Sequence, residues 1–291
     1  MQKSPNFTRR DFLKFMFTVS AQLALLSFGG AFYGTQVETA WIEVVRQIIR
    51  LPRLHPAFDG FRFTQISDIH MGGWMNRERF ANVIELVKKT NPELVLITGD
   101  FVEYVPDFAR TLVAIQDVRD VLASLSSLPT LAILGNQDYR SHAGYFLRDM
   151  LSTLKIVDMT NRIHTLTRGD GQLYFVGLDD ILMGFPDFEG MLADLPQDGT
   201  AILLAHEPDF ADIASLTSRF DLQISGHSHG GQVVLPVIGP PVLPSLGKKY
   251  VSGLYQVGKM YQYTNRGVGT TEPYIRINCR PEITVFTLRA A

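Results

Sequence analysis

Five strand-like segments between residues 61 and 229 end in side chains that can bind metals. The segments are "FRFTQIS", "LVLITG", "TLAILG", "AILLAH" and "LQISGH". Short apolar runs that alternate with helical periodicity predict an α/β fold, with sheet inside and helices outside. The polar side chains at these ends are Asp68, His70, Asp100, Asn136, His206, His227 and His229. Because ligands of open α/β sheets bind at the carboxyl ends of the strands, we expect all seven to meet at one edge.

The composition of the chain limits the partners and the kinds of metal site that this edge can have. The chain has 291 residues, 46% of them hydrophobic, enough for one large or two small domains with a buried core. Lys and Arg number 27 against 29 Asp and Glu, and no long run of one sign occurs, so we expect no nucleic-acid partner. The single cysteine, Cys279, excludes an intrachain disulfide and a Cys-rich zinc site.

The seven side chains comprise two carboxylates, one amide and four imidazoles. This mixture suits manganese, iron, zinc or nickel. One catalytic zinc takes about three protein ligands, so seven exceed the needs of one ion. Two divalent ions that share a bridging carboxylate would use the whole set.

The N-terminal segment, residues 1–36, has the layout of a targeting signal. Arg9 and Arg10 precede a run without charge from Phe15 to Val37, which is the order of a basic region followed by an apolar one. The stretch "RRDFLK" resembles the twin-arginine export signal of bacteria. We expect a membrane-associated protein, or one exported by this route to the periplasm or cell envelope. A cleaved signal, a retained membrane anchor and an ordinary buried helix are the alternatives.

Residues 37–60 predict an amphipathic helix followed by a linker. Apolar side chains recur at helical spacing at Trp41, Val44, Val45, Ile48 and Ile49. Such a helix would lie on a membrane surface or pack on the catalytic domain. Two prolines and a glycine within residues 52–60 indicate the linker, so the catalytic domain is predicted to span residues 61–291.

Several motifs together resemble the calcineurin-like metallophosphoesterases. They are "DIH" at 68–70, "GD" at 99–100, "GNQD" at 135–138, His206 and "GHSHGGQ" at 226–232. They occur in the family's order over most of residues 61–232. The tail "NRGVGTTEPYIRINCRPEITVFTL" resembles the membrane-associated bacterial branch, whose members often carry an N-terminal signal or anchor. The resemblance implies a four-layer α/β/β/α sandwich.

The resemblance also implies the roles of the seven side chains. One metal would take Asp68, His70 and His229, and the other would take Asn136, His206 and His227. Asp100 would bridge the two. A hydroxide held between the ions would attack phosphorus, so the expected reaction is hydrolysis of a phosphodiester or pyrophosphate bond.

The "GNQD" segment departs from the family at one position. Asn136 would be an uncharged oxygen ligand, and Asp138 would orient the neighbouring loop or a histidine ligand. Most family members have a histidine at the place of Gln137, where it is thought to protonate the leaving group. Glutamine can donate a hydrogen bond but no proton. Three alternatives follow: the substrate has a good leaving group, His142 takes over the proton transfer, or activity is low.

The segment "VVLPVIGPPVLPSLGKKY", residues 233–250, directly follows the last two ligands. It predicts an acyl-chain contact or a membrane-touching lip, or else a loop folded back over a hydrophobic core. We therefore expect a lipid-linked or cell-envelope substrate, because some relatives cleave UDP-2,3-diacylglucosamine. The alternatives are a protein or nucleotide phosphatase, a nuclease, and a non-catalytic metal-binding scaffold. Oligomeric state has no sequence signal here.

Overall fold

The computed structural model describes residues 8–291, without the side chains of residue 21 and residues 23–27. The first seven residues of the predicted signal lie outside this range. The helices are α1 (Arg9–Phe32), α2 (Arg77–Lys89), α3 (Phe108–Leu122), α4 (Asn136–Arg140), α5 (Gly144–Thr153), α6 (Phe188–Asp194) and α7 (Ala211–Leu216). The strands are β1 (Glu43–Leu51), β2 (Arg62–Ile66), β3 (Leu94–Thr98), β4 (Thr130–Ile133), β5 (Val157–Asp158), β6 (Arg162–Arg168), β7 (Gly171–Gly177), β8 (Thr200–Leu204), β9 (Leu222–Ser225), β10 (Gly253–Val257), β11 (Met260–Thr264) and β12 (Glu282–Ala290).

The strands form two six-stranded sheets. The first has the order β1-β12-β2-β3-β4-β5 and the second has the order β10-β11-β9-β8-β7-β6. Within the first, β2 to β5 are parallel and β12 is antiparallel to β2. Within the second, β7, β8, β9 and β11 are parallel, with antiparallel strands at both edges. Parallel strands buried on both faces read as nearly continuous apolar runs, as these do.

Four layers result from the way these sheets are covered. Between the sheets, the ring of Phe63 stacks on Phe286 at 4.8 Å and meets the edge of Phe175 at 5.9 Å. Helices α2, α3 and α5 cover the outer face of the first sheet. Helices α6 and α7 cover the second. The predicted α/β/β/α sandwich is confirmed.

Helix α2 illustrates how local sequence builds these layers. Asn76 precedes the helix in an extended conformation, and its side chain accepts a hydrogen bond from the Arg79 N–H at 2.9 Å. This bond satisfies one of the free N–H groups of the first turn. The buried side chains of α2 recur at helical spacing and face the sheet. They are Phe80, Val83, Ile84 and Val87.

The predicted amphipathic helix in residues 37–60 is wrong. Glu43–Leu51 form strand β1, which pairs in parallel with β12 from Glu43 opposite Glu282 to Leu51 opposite Ala290. The β-branched residues of this segment suit a strand, and the sheet edge supplies the backbone partners. Because β1 is part of the first sheet, the folded domain includes residues before position 61.

Helix α1 lies on the outside of this fold. Its large apolar side chains Phe12, Phe17 and Phe28 are 51%, 77% and 73% exposed, so α1 is not a buried helix. In the part of the chain that the structure describes, none of the helices has both the length and the apolar character needed to cross a membrane. A π-helical turn (Tyr33–Val37) and a 3₁₀ turn (Glu38–Ala40) then connect α1 to the domain. There Glu38 accepts a hydrogen bond from the Cys279 N–H at 2.5 Å.

Candidate metal centre

Both sheets contribute to one polar edge. Asp68 and His70 follow β2, Asp100 follows β3 and Asn136 follows β4, all from the first sheet. His206 follows β8, whereas His227 and His229 follow β9, both from the second. Asp68, His70, Asp100, His206, His227 and His229 are buried. The two sheets therefore bring the seven predicted side chains together where their strands end.

Asp68, His70 and His229 form a first group of ligand atoms. Nε2 of His229 lies 3.4 Å from Oδ1 of Asp68, and Nε2 of His70 lies 3.0 Å from Nε2 of His229. The ligand atoms of all three residues lie within 4.8 Å of one another. This spacing fits the three side chains to a single cation.

A second group surrounds His206. Its Nε2 lies 3.3 Å from Oδ2 of Asp100 and 3.9 Å from Oδ1 of Asp68. Nearby, Nδ1 of His227 lies 3.0 Å from Oδ1 of Asn136. Within the described chain, Nε2 of His206 is buried without a hydrogen-bond partner, which is costly unless a ligand satisfies it.

Asp100 lies between the two groups. Its Oδ2 is 3.5 Å from Nε2 of His70 and 3.3 Å from Nε2 of His206. One carboxylate thus faces an imidazole of each group. The donor set and this arrangement fit two divalent ions with a shared carboxylate.

Three contacts that the sequence did not predict orient the histidines. Nδ1 of His206 lies 2.6 Å from the Thr98 carbonyl oxygen, and Nδ1 of His70 lies 3.2 Å from Oε2 of Glu103. Both imidazoles therefore present Nε2 to the centre. Nε2 of His227 lies 2.8 Å from the Ser245 carbonyl oxygen, so this imidazole presents Nδ1 instead. Such outer contacts fix the tautomer and ring orientation of metal ligands.

Asp138 forms hydrogen bonds that connect two of the loops at this edge. Its buried carboxylate accepts hydrogen bonds from the N–H groups of Phe101 at 2.8 Å, Val102 at 3.1 Å and Gly135 at 3.0 Å. These contacts connect the loop after β3, which holds Asp100, to the loop after β4, which holds Asn136. The geometry is that of a positioning residue and agrees with the role expected for it.

Gln137 and His142, the two residues considered for proton transfer, occupy different places. The Gln137 N–H donates to Oδ1 of Asp100 at 2.8 Å, and Gln137 lines the cavity above the centre. His142 is exposed and is absent from the described residues that line this cavity. The structure therefore brings Gln137, but not His142, to the centre.

The backbone at the centre is strained. Five of the seven predicted ligands have positive φ: Asp68 (54°), His70 (49°), Asp100 (54°), His227 (69°) and His229 (53°). Non-glycine residues in this region cost on the order of 1–3 kcal/mol each and concentrate at functional sites. Gly135 is required for a different reason, because a Cβ there would lie 2.4 Å from Oδ1 of Asp100.

Charge is concentrated in this buried space. Burial raises the pKa of Asp68, but the imidazoles of His229 and His70 outweigh burial and hold that pKa below its usual range. Burial lowers the pKa of His229 to about 3, so its ring is neutral at neutral pH and can act as a ligand. Buried carboxylates that stay ionised need nearby cations, which two metal ions would supply.

A cavity of about 490 Å³ opens above the centre. His70, Asp100, Asn136 and His229 line its floor. Its wall includes apolar residues of the 233–250 segment, namely Val233, Val242 and Leu243, and Ile275 from the C-terminal loop. The candidate metal centre is thus accessible, with a polar floor and an apolar wall.

This chain is similar in sequence to known proteins. The model of the calcineurin-like phosphoesterase family matches residues 61–231. The uncharacterised metallophosphoesterase YkuE of Bacillus subtilis is 35% identical over 284 residues, covering 97% of this chain and 98% of YkuE. The phosphodiesterase YaeI of Escherichia coli is 31% identical over 287 residues, covering 97% of this chain and 99% of YaeI.

A solved structure supports the fold. The crystal structure of a Staphylococcus aureus protein named as a 5′-nucleotidase superposes with a TM-score of 0.51 at 15% identity, covering 80% of this chain and 55% of that protein. At this identity the likeness concerns the fold alone. With the match to the family model and the two full-length relatives, it follows that this chain belongs to the calcineurin-like phosphoesterase family and is a hydrolase of phosphoester bonds.

Proposed function

We propose that the protein is a two-metal phosphodiesterase whose substrates are diesters or pyrophosphates with good leaving groups. The observation that carries this proposal is the position of Asp100, whose Oδ2 lies 3.5 Å from the imidazole of His70 and 3.3 Å from that of His206. Asp68, His70 and His229 would hold one ion, and Asn136, His206 and His227 the other. When bound, the ions lower the pKa of a coordinated water and offset charge on phosphate oxygens.

The remaining contacts position these residues for the reaction. Asp138 holds the loops of Asp100 and Asn136, and the Gln137 N–H holds Oδ1 of Asp100. The Gln137 side chain can donate a hydrogen bond to a phosphoryl oxygen, but it has no proton to give to a leaving group. Substrates whose leaving group needs no proton, such as a phosphate released from a pyrophosphate, therefore suit this chain.

The charge of the cavity favours diesters over monoesters. Two of its lining residues, Asp100 and Glu272, are carboxylates, and its described lining contains neither lysine nor arginine. Negative charge on a substrate would therefore be offset by the ions alone. A phosphate monoester carries about −1.5 to −2 at neutral pH, whereas a diester carries a single negative charge. The similarity to the phosphodiesterase YaeI supports the same preference.

More narrowly, we propose that the substrate is linked to a lipid or belongs to the cell envelope. The apolar wall formed by Val233, Val242 and Leu243 offers a surface for an acyl chain next to the metal ligands. A nucleotide-linked lipid such as UDP-2,3-diacylglucosamine combines a pyrophosphate with acyl chains and has this chemistry. Membrane association, or export through the twin-arginine route, would place the protein near such substrates. Arg9, Arg10 and the uncharged run after them support that localisation.

Hydrolysis assays of the full chain test the activity. The full chain is needed because β1 and the turns before it belong to the fold. The metal-free protein, reloaded with manganese, would be assayed on bis-p-nitrophenyl phosphate and on p-nitrophenyl phosphate. We expect manganese-dependent turnover that is faster on the diester. Asn136→Ala should lower it by at least about 100-fold, since even outer contacts of metal ligands are worth 10- to 100-fold.

His142→Ala is the matched control, because the His142 side chain is exposed. It should retain the wild-type rate on both substrates. Faster turnover of the monoester would favour a phosphatase acting on proteins or nucleotides. The absence of turnover on both substrates in protein that holds two manganese ions would contradict the proposed activity.

Localisation needs a separate experiment. We expect the wild-type chain, produced in a bacterium with a twin-arginine system, to appear in the membrane or periplasmic fraction. Replacing Arg9 and Arg10 together by lysine should retain it in the cytoplasm. An unchanged distribution in this variant would contradict the proposed route.

A further inference from the structure

We propose that the tip of the 233–250 segment inserts into a lipid bilayer and sets the mouth of the cavity against the membrane surface. The tip consists of Pro236, Val237 and Ile238, followed by Val242 further along the same segment. This inference rests on the lipid-linked form of the proposed function. Its test measures contact with lipid, not turnover, so the two can fail separately.

The tip is apolar and unpacked. Val237 is 107% exposed, Ile238 is 75% exposed and Val242 is 78% exposed. The tip therefore does not fold back over the core, which was the alternative that the sequence suggested for this segment. Three branched apolar side chains held in water within six residues of the chain favour transfer to an apolar environment.

The backbone of the tip has a strained conformation at Val237, which lies in a tight turn. Leu235 and Gly239 exchange backbone hydrogen bonds at 3.1 and 2.8 Å, which closes a tight turn. Within it, the Ile238 N–H donates to the Pro236 carbonyl oxygen at 2.8 Å around Val237, whose φ is 70°. A β-branched residue is a genuine outlier at positive φ, where glycine fits without strain. The chain thus keeps an apolar side chain at a position where local backbone energetics favour glycine.

The segment that carries the tip also reaches the candidate metal centre. Val233, Leu243 and Pro244 of the same segment line the cavity, and the Ser245 carbonyl oxygen accepts the hydrogen bond from Nε2 of His227. A lipid whose phosphate lies at the metal ligands could therefore pass its acyl chains along the apolar wall toward the tip. A tip inserted in the bilayer would let that lipid enter without crossing water.

The size of the tip favours a bilayer over a protein partner. A specific protein interface usually buries about 800 Å² on each side, more than a few side chains at one turn can offer. Membrane binding has no such threshold, because each apolar side chain of this size transferred into hydrocarbon strengthens binding roughly tenfold or more. Lys248, exposed on the same segment, would favour anionic lipid head groups, whereas the ammonium of Lys249 is paired with Asp212 at 2.6 Å.

A fluorescence-quenching experiment tests this insertion. Ile238→Cys in the full chain would be labelled with an environment-sensitive fluorophore, since the native Cys279 is buried. Leu216→Cys is the matched control, because Leu216 is 84% exposed and lies in α7, outside the described lining of the cavity. Both proteins would be mixed with vesicles of phosphatidylcholine and phosphatidylglycerol whose acyl chains carry bromine. We expect quenching of the probe at 238 and an unchanged signal at 216.

Other outcomes would overturn the proposal. An unquenched probe at 238 in protein that binds the vesicles would show that another part of the chain makes the contact. Equal quenching at 238 and 216 would show adsorption without orientation. A lipid-independent change at 238 that grows with protein concentration would identify a second copy of the chain as the occupant. In each case, turnover of bis-p-nitrophenyl phosphate reports independently on the centre.

Discussion

The imidazole of His227 donates a hydrogen bond from Nε2 to the carbonyl oxygen of Ser245 at 2.8 Å. This bond turns Nδ1 toward Oδ1 of Asn136, which lies 3.0 Å away. Ser245 belongs to the segment that forms the apolar wall of the cavity. One residue therefore connects the apolar wall to the predicted metal ligands, and the orientation of His227 depends on the path of that wall.

Glu103→Gln should weaken metal binding. The Glu103 carboxylate lies 3.2 Å from Nδ1 of His70, where it favours the tautomer that presents Nε2 to the centre. Loss of such a contact typically reduces metal affinity or activity 10- to 100-fold. Manganese titration of the metal-free protein would measure the change. Glu78→Gln, on the first turn of α2, is the control and should bind manganese as the wild type does.

Asp138→Asn should destabilise the metal-loaded protein by about 2 to 3 kcal/mol. The buried carboxylate accepts three backbone hydrogen bonds, and an amide would leave at least one of these donors unpaired. Urea unfolding would measure the difference. The exposed Asp194→Asn variant should stay within about 0.5 kcal/mol of the wild type. Equal stability of the two variants would show that Asp138 does not hold the loops.

Gln137→His should accelerate the hydrolysis of diesters with poor leaving groups. Gln137 lines the cavity beside Asp100, and histidine there could protonate an alkoxide. General acid catalysis is typically worth about 10²- to 10⁴-fold. Rates on a series of aryl and alkyl diesters should therefore depend less steeply on the leaving-group pKa than in the wild type. A parallel dependence for both proteins would show that position 137 is remote from the leaving group.

Val237→Gly should stabilise the protein while removing apolar surface from the tip. Relief of the positive φ of 70° at a β-branched residue is worth about 1–2 kcal/mol, against about 0.5–1 kcal/mol for the added freedom of the unfolded chain. We expect a net gain of up to about 1.5 kcal/mol in the free energy of unfolding. Val242→Gly relieves no such strain and should lower the free energy of unfolding instead. A loss in both variants would mean that Val237 is not strained.

Local patterns predicted the α/β class and the meeting of the seven polar side chains at one edge, whereas the four layers followed from the resemblance to the family. The ligands directly follow buried strands, and the strand ends of a sandwich meet at one edge whatever the loops do. Strand β1 was missed because the spacing of Val44, Val45, Ile48 and Ile49 fits a helix as well as a strand. Its partner, β12, lies more than two hundred residues later. No local pattern can reveal such a pairing.

The outer contacts of the histidines were missed for a related reason. Thr98 and Ser245 act through carbonyl oxygens, which every residue has, so their side chains give no signal. Glu103 is one of many glutamates until the fold places it beside His70. These positions follow from tertiary packing, whereas residue type and position after a strand were enough to select the seven candidate ligands.

Metal content is the measurement that tests the two-ion centre most directly. Metal-free protein would be incubated with manganese, freed of excess ion by gel filtration and analysed for metal per chain. We expect two ions for the wild type and fewer than one for Asp100→Ala, because Asp100 faces both groups of ligand atoms. The exposed Asp194→Ala variant should hold two. Two tightly bound ions in Asp100→Ala, or a single ion in the wild type, would contradict the bridging role and the two-metal mechanism built on it.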